Sequence, residues 1–300
     1  MRTPLVSIVS INYNSLSDTL EFLESLTAIT YTNYEVIIVD NASKVNPKET
    51  IAKKYPNTEI IVSSTNLGFA GGNNLGISRA KGEYILLLNN DTLLQPHFLE
   101  PLVEFMESHP DAGMASPKVL YPDGKTVQYA GAQSLNVYTG RGKRIGLFDI
   151  DNGQYDKIYK TDLGHGAALI IPRKVIDEIG MMPELYFLYY EEHDWCEQVK
   201  RRGYNMYYIG TSTVIHKESI SVGGGESYTK VYYMNRNRLL YMLRNSTGIP
   251  MILGVLFYLF IATPKNMGLY LLKGKFNLAK AILRGIRWNI FSAAKNDYAL

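Results

Sequence analysis

Ile85-Leu86-Leu87-Leu88 is an uncharged apolar run that stops abruptly at Asn89-Asn90-Asp91. A continuous apolar run bounded by polar turn-formers predicts a strand buried on both faces, the kind found in parallel sheets covered by helices. Three earlier segments repeat the form. Leu5 to Ile11 is followed by Asn12-Tyr13-Asn14-Ser15, and then by Leu16, Leu20, Leu23 and Leu26 at helical spacing. Glu35 to Asp40 ends in Asn41-Ala42-Ser43 ahead of a short helix over Lys48 to Lys54. Glu59 to Ser63 leads into Asn66-Leu67-Gly68-Phe69-Ala70-Gly71-Gly72-Asn73-Asn74 and a helix to about Ala80. Strands alternating with helices over short loops specify an α/β chain with a Rossmann-like, mainly parallel sheet and right-handed crossovers. Asp40 and Asp91 then fall at strand C-termini, on the rim where open α/β sheets bind ligands.

That rim suits a metal and a phosphate, but its residues also have plainer uses. Asn90 and Asp91 can turn the chain and cap the helix that follows Pro96. Gly71-Gly72 would let backbone N–H groups approach a phosphate or sugar. The order is not G-x-G-x-x-G and the pair follows the third strand, which argues against a dinucleotide fingerprint. A flexible loop needing positive φ accounts for the glycines equally well.

Beyond a helix ending near Ser108 and a strand from Gly113 to Leu120, residues 121–162 lose periodicity and read as a variable loop, with Asp123-Gly124 as a hairpin turn. Order returns at Gly166 to Ile171 and in a helix from Arg173 to Ile179 closed by Gly180. Glu191-Glu192-His193-Asp194-Trp195-Cys196 follows an aromatic run and opens a helix reaching Gly203. Acids in a first turn complement the helix dipole by about 0.3–1 kcal/mol each without any chemistry. Three acids and a histidine exceed what that needs. Asn205 to Ile209 and Thr213 to His216 read as two short strands, ending at a histidine that is structural unless acids converge on it, ahead of a Gly223-Gly224-Gly225 loop.

Composition narrows the classes. A net charge of +3 gives no case for nucleic-acid binding. The single cysteine, Cys196, excludes an intrachain disulfide and a multi-thiolate metal site, as expected of a reducing compartment. Met1-Arg2-Thr3-Pro4 runs straight into a strand without a signal-peptide core, so the chain is expected not to be exported. Met251 to Ala262 is apolar all round yet reads as too short for the ~20 residues of a membrane span. The basic residues beyond it, Lys265 to Arg287, alternate with Leu, Ile, Phe and Trp288. This tail predicts an anchor lying on an anionic membrane surface, or a helical hairpin packed on the body or forming a homodimer interface.

Six stretches taken in order resemble the family 2 glycosyltransferases of the GT-A fold, particularly the bacterial rhamnosyltransferase-like branch that builds cell-surface polysaccharides. They are VSIVSINYN (Val6 to Asn14), IIVDNAS (Ile37 to Ser43), NLGFAGGNNLGI (Asn66 to Ile77), LLLNNDT (Leu86 to Thr92), GAALIIPR (Gly166 to Arg173) and YYEEHDWCEQVKRRGY (Tyr189 to Tyr204). The resemblance implies a nucleotide-sugar half over 1–115, an acceptor-binding and catalytic half over 116–235, and a helical tail over 236–300. It implies that Asp40 holds the base or ribose, with Asn12 and Asn14 in the closing loop and Asn66, Gly72, Asn73 and Asn90 near the nucleotide sugar. Asn89 to Asp91 stands where the family has D-x-D, so Asp91, with His216, is the implied site for Mg²⁺ or Mn²⁺. Asn89 replaces the first acid of that motif. Glu192 stands at the general base, one methylene longer than the usual Asp, and Asp194 is its rival; Glu191, His165 and Trp195 are implied on the acceptor side. The implied reaction is inverting transfer from dTDP-rhamnose or a UDP-hexose to a saccharide or lipid-linked saccharide, on the cytoplasmic face of the membrane. A non-catalytic nucleotide-sugar or glycan-binding relative is the alternative.

Overall fold

The computed structural model describes residues 2–218 and 226–291. The Gly223-Gly224-Gly225 loop and the last nine residues of the tail lie outside the described residues. The chain divides into two compact units. The first comprises Met1–Gln133, Arg144–Phe187 and Glu191–Ser219; the second comprises Ser134–Lys143, Leu188–Tyr190 and Ile220–Leu300.

The first unit follows the alternation written in its sequence: β1 (Val6–Asn12), α1 (Leu16–Leu26), β2 (Tyr34–Asp40), α2 (Lys48–Lys54), β3 (Thr58–Val62), α3 (Gly68–Ile77) and β4 (Tyr84–Leu88). It continues with β5 (Thr92–Leu94), α4 (Leu99–Ser108), β6 (Ala112–Leu120), β7 (Val127–Tyr129), β8 (Ile158–Thr161), β9 (Ala168–Pro172), α5 (Arg173–Ile179), α6 (Glu191–Arg201) and β10 (Asn205–His216). All ten strands form one sheet with the central order β3-β2-β1-β4-β9-β6-β10-β5. It is parallel from β3 to β4; β9 then runs antiparallel to both β4 and β6, so the sheet is mixed beyond the nucleotide-binding end expected from the sequence. Every residue of β4 is buried, as its unbroken apolar run requires.

Four local expectations change. The glycine-rich stretch is not a loop: Gly71, Gly72, Asn73 and Asn74 lie inside α3, and of these glycines none has positive φ. Gly72 is there for close packing, since a Cβ would stand 2.8 Å from Ile11 Cδ1 and 3.2 Å from Asn41 Nδ2. The two strands expected before His216 are one, β10, with a register irregularity against β6 between Ile209 and Thr213. Residues 121–162 contain β7 and β8, tied down by the buried Lys118, which pairs with Asp151 at 2.6 Å and also with Asp156. The three-residue β5 was absent from the sequence reading.

Gly68 starts α3 with φ 74°, and its neighbour Phe69 donates its N–H to the Phe187 carbonyl at 2.6 Å. A Cβ on Gly68 would overlap that same carbonyl oxygen. Gly68→Ala therefore combines a left-handed backbone penalty with a backbone clash, and is expected to destabilise the fold by about 3 kcal/mol in chemical denaturation.

The second unit is helical: α7 (Tyr228–Asn245), α8 (Gly248–Phe257), a π-helical turn Tyr258–Ala262, α9 (Thr263–Leu272) and α10 (Phe276–Phe291). Val231, Leu278, Ala281 and Ile282 form one small core, and Leu239, Met242, Tyr258 and Ala262 another. Met251 to Ala262 does not stand alone, which corrects the expectation drawn from its length. The π-helical turn carries α8 into α9 past Pro264, giving a continuous 25-residue helix, Gly248–Leu272, long and apolar enough to cross a membrane. At 1.5 Å per residue it measures about 37 Å. Most of its apolar surface is exposed.

Candidate active site

Strand ends place the polar residues of the rim. Parallel register sets Asn12 opposite Asp40. Asn12 Nδ2 donates to Asp40 Oδ1 at 2.7 Å, and its Oδ1 accepts from Thr19 at 2.9 Å. Asp40 is buried, and its other oxygen accepts the Ser43 N–H at 3.1 Å. Asn90 joins the same network by donating to Ser15 Oγ at 2.8 Å and Thr19 Oγ1 at 2.9 Å. Its amide therefore fixes the start of α1 to the end of β4. Asn14, exposed at φ 55°, accepts the Lys44 N–H at 2.9 Å. Asn66 caps the Gly68 N–H at 2.9 Å and accepts from Asn41, while Asn73 lies buried in α3, bonded to the Phe69 carbonyl at 3.1 Å.

The short strand β5 explains how Asp91 meets a histidine 125 positions away. It pairs antiparallel with the end of β10, setting His216 opposite Thr92, the residue after Asp91. His216 Nε2 lies 3.2 Å from Asp91 Oδ1 and 3.3 Å from Asn89 Nδ2. Its Nδ1 faces Gln128 Oε1 at 2.7 Å, and Gln128 is fully buried on β7. An acceptor oxygen at Nδ1 holds a proton there, so that in the neutral ring Nε2 would carry the lone pair facing the Asp91 carboxylate. Two electron-rich atoms facing each other at 3.2 Å fit a divalent cation, with an oxygen and an imidazole nitrogen as donors. No group of three His, Cys, Asp or Glu side chains is assembled for a metal among the described residues. A cation here would complete its shell with ligand oxygens and water. Gln128 escaped the sequence reading because it sits in the stretch that had lost periodicity.

His165 packs its ring 5.1 Å from Tyr129 and 6.0 Å, edge-on, from His216. Its Nδ1 accepts the Ala167 N–H at 3.2 Å. Desolvation holds its pKa well below the usual histidine range. The next residue, Gly166, lies under the Glu192 carboxylate; a Cβ there would be 3.7 Å from Glu192 Oε1. The turn 165–166 thus links the Asp91–His216 pair to the start of α6.

Along α6 the acids separate by environment. Glu192 is partly exposed, with Oε1 3.2 Å from His193 Nδ1. Glu191 is buried, and Asp194 is completely so, accepting from Tyr186 Oη at 2.7 Å and Gln198 Nε2 at 3.2 Å. Trp195 has no exposed surface, and its indole N–H donates to the Gly180 carbonyl at 3.0 Å. This corrects its expected place on the acceptor side. It packs the core because it shares the buried face of α6 with Asp194, Cys196 and Val199.

A model of the family described as glycosyl transferase family 2 matches residues 7–180, which is more than half the chain and includes Asp40, Asp91 and His165. The chain belongs to glycosyl transferase family 2. Among curated relatives, this glycosyltransferase is 26% identical over 239 residues to the low-salt glycan biosynthesis hexosyltransferase Agl10 of Haloferax volcanii, covering 78% of this chain and 74% of the relative. It is 23% identical over 242 residues to the N-acetylglucosaminyl-diphospho-decaprenol L-rhamnosyltransferase of Mycobacterium tuberculosis, covering 74% and 78%. Its fold is similar to that of S. aureus TarS 1-349 in complex with UDP-GlcNAc, with TM-score 0.61, 16% identity and coverage of 93% and 79%. It is also similar to mannosyltransferase PcManGT from Pyrobaculum calidifontis in complex with GDP-Man and Mn²⁺, with TM-score 0.58, 13% identity and coverage of 98% and 83%. The GT-A architecture follows from these likenesses.

Proposed function

We propose that this glycosyltransferase moves a sugar with inversion from a nucleoside-diphosphate sugar, dTDP-rhamnose or a UDP-hexose, to a saccharide or lipid-linked saccharide during cell-surface polysaccharide synthesis. The observation that carries the reading is the meeting of Asp91 and His216 on the rim, with Glu192 approaching through Gly166 and His165. Asp40 and the Asn12 loop would receive the nucleoside. Asp91 and His216 would hold Mg²⁺ or Mn²⁺, which when bound offsets the charge of a diphosphate leaving group. Glu192 accepts the proton of the acceptor hydroxyl as its oxygen bonds to the anomeric carbon and the bond to the diphosphate breaks. The access of Glu192 and the burial of Asp194 support that division of roles. The names of the two curated relatives, a hexosyltransferase and a rhamnosyltransferase acting at a diphospho-decaprenol, support the donor and acceptor classes.

The tail supports placement at the cytoplasmic face of the membrane. Ile249, Phe260, Ile261 and Leu272 are exposed on the 25-residue helix, and α10 adds Lys280, Arg284 and Arg287. Exposed apolar side chains beside cations suit an anionic lipid surface.

A thermal-shift panel of nucleotide sugars with Mn²⁺ tests the donor reading, because the true donor raises Tm in proportion to its occupancy. No stabilisation by any nucleotide sugar would sink it. In the same setting Gln128→Leu is expected to weaken Mn²⁺ binding to the UDP complex by about 10- to 100-fold, read by calorimetry, through loss of the tautomer-fixing contact. Gln128→Glu, which keeps an acceptor oxygen, should recover most of it.

A further inference from the structure

Among its described residues, the second unit contains a buried cation with no carboxylate paired to it. Arg238 on α7 is 6% exposed. Its Nε donates to the Thr139 carbonyl at 2.6 Å, and its guanidinium stacks 4.7 Å from the centre of the Tyr258 ring. Neither contact neutralises it. Among the described residues of this unit Glu226 is the one acid, and its carboxylate is bonded to Lys275 at 2.6 Å. Burial depresses the Arg238 pKa, and the loop carrying Arg141 packs against its stem: a Cβ on Gly140 would stand 3.1 Å from Arg238 Cγ. A desolvated arginine costs several kcal/mol unless an anion compensates it, and a second arginine on the adjoining loop adds the positive charge that suits a phosphate group.

The loop that carries Arg141 is held in shape by its own bonds. Asn136 N–H donates to the Arg141 carbonyl at 3.0 Å, Gly140 N–H returns to the Asn136 carbonyl at 2.7 Å, and Tyr190 Oη reaches the Gly140 carbonyl at 3.1 Å. Helix α8 lies directly on this loop: a Cβ on Gly254 would stand 2.5 Å from the Val137 carbonyl oxygen. Val137, Tyr138, Ile249, Leu253 and Leu256 leave apolar surface open to solvent on the loop and on α8. Uncompensated positive charge beside an uncovered apolar strip fits one chemistry, a phosphate or diphosphate attached to a long hydrocarbon chain.

We propose that Arg238 and Arg141 form a subsite for the diphosphate of a lipid-linked acceptor, with Val137, Tyr138 and the exposed side chains of α8 taking the first part of its chain. The inference rests on the transferase reading and names the part of the acceptor that the tail unit recognises.

The full chain, saturated with UDP and Mn²⁺ so that the donor site is filled, is titrated with farnesyl diphosphate, farnesol and inorganic diphosphate, with binding read by calorimetry. Farnesyl diphosphate should bind at least about tenfold more tightly than either fragment, since only it makes both the charge-assisted and the apolar contacts. Arg141→Gln, an exposed substitution that leaves the fold intact, should lose about tenfold, and Arg238→Gln more, with Arg238→Lys recovering part. Equal binding of farnesol and farnesyl diphosphate, or variants that bind like the wild type, would overturn the subsite. Phosphatidylglycerol vesicles that displace farnesyl diphosphate as effectively as unlabelled farnesyl diphosphate would also overturn it, by showing that the arginines meet bulk anionic lipid. Nucleotide-sugar stabilisation is measured on the same preparations without UDP. If it is intact while the lipid arms fail, this inference fails alone; if it is absent, the transferase reading fails and this inference with it.

Discussion

Replacing Glu192 by glutamine is expected to lower the rate of sugar transfer by about 10²–10⁴-fold, the usual contribution of a positioned general base. The amide keeps the volume of the side chain and its place over Gly166, so substrate binding should change little and the loss should fall on kcat. Asp194→Asn provides the contrast. Asp194 is completely buried and accepts from Tyr186 and Gln198, which ties the turn before α6 to the helix itself. Its asparagine variant should lose about 1–3 kcal/mol of stability through a disturbed buried network while retaining most transfer per folded molecule. The opposite pattern, a folded but inactive Asp194→Asn and an active Glu192→Gln, would reverse the two roles.

The second large effect is expected at Asp91. Asp91→Asn keeps the shape of the rim but removes its anionic oxygen from beside His216 Nε2. Because Asn89 supplies an amide where the resembling family has its first acid, Asp91 is the only carboxylate of that triplet. Loss of several kcal/mol of charge stabilisation corresponds to at least about a hundredfold in turnover. Chelation by EDTA should match it, with activity restored by Mn²⁺ or Mg²⁺ in the wild type but not in the variant. Mn²⁺ binding to the UDP complex gives an independent readout, and unchanged affinity in Asp91→Asn would remove the metal role from this residue.

Legibility from sequence followed the physics of each segment. The β1–β4 end of the sheet could be read because its strands are short apolar runs and its helices are amphipathic; α1 and α2 fall on the expected residues. The start of α3 could not, because glycine and asparagine are poor helix formers and tertiary packing against Ile11 and Asn41 overrides that propensity. Strand β5 is too short to show a period, yet its register with β10 joins Asp91 to His216. The resemblance implied Trp195 on the acceptor side, whereas helix phase decides that it faces inward. The span in the tail was not legible because Met251 to Ala262 counts only about a dozen apolar residues, whereas the helix continues through Pro264, in the first turn of α9, as far as Leu272. Asp40, Asp91 and Glu192 were legible as acids at strand and helix ends. Gln128 and Arg238 were not, since their significance lies in partners that only the tertiary structure supplies.

The central claim is that this rim transfers a sugar rather than merely binding one, and nucleoside diphosphate release measures it most directly. With its donor, Mn²⁺ and a glycan acceptor, the wild-type chain should release nucleoside diphosphate at a rate that rises with acceptor concentration and collapses in Glu192→Gln. A donor that stabilises the protein yet yields no acceptor-dependent release would contradict the account and identify a nucleotide-sugar-binding relative without transferase activity.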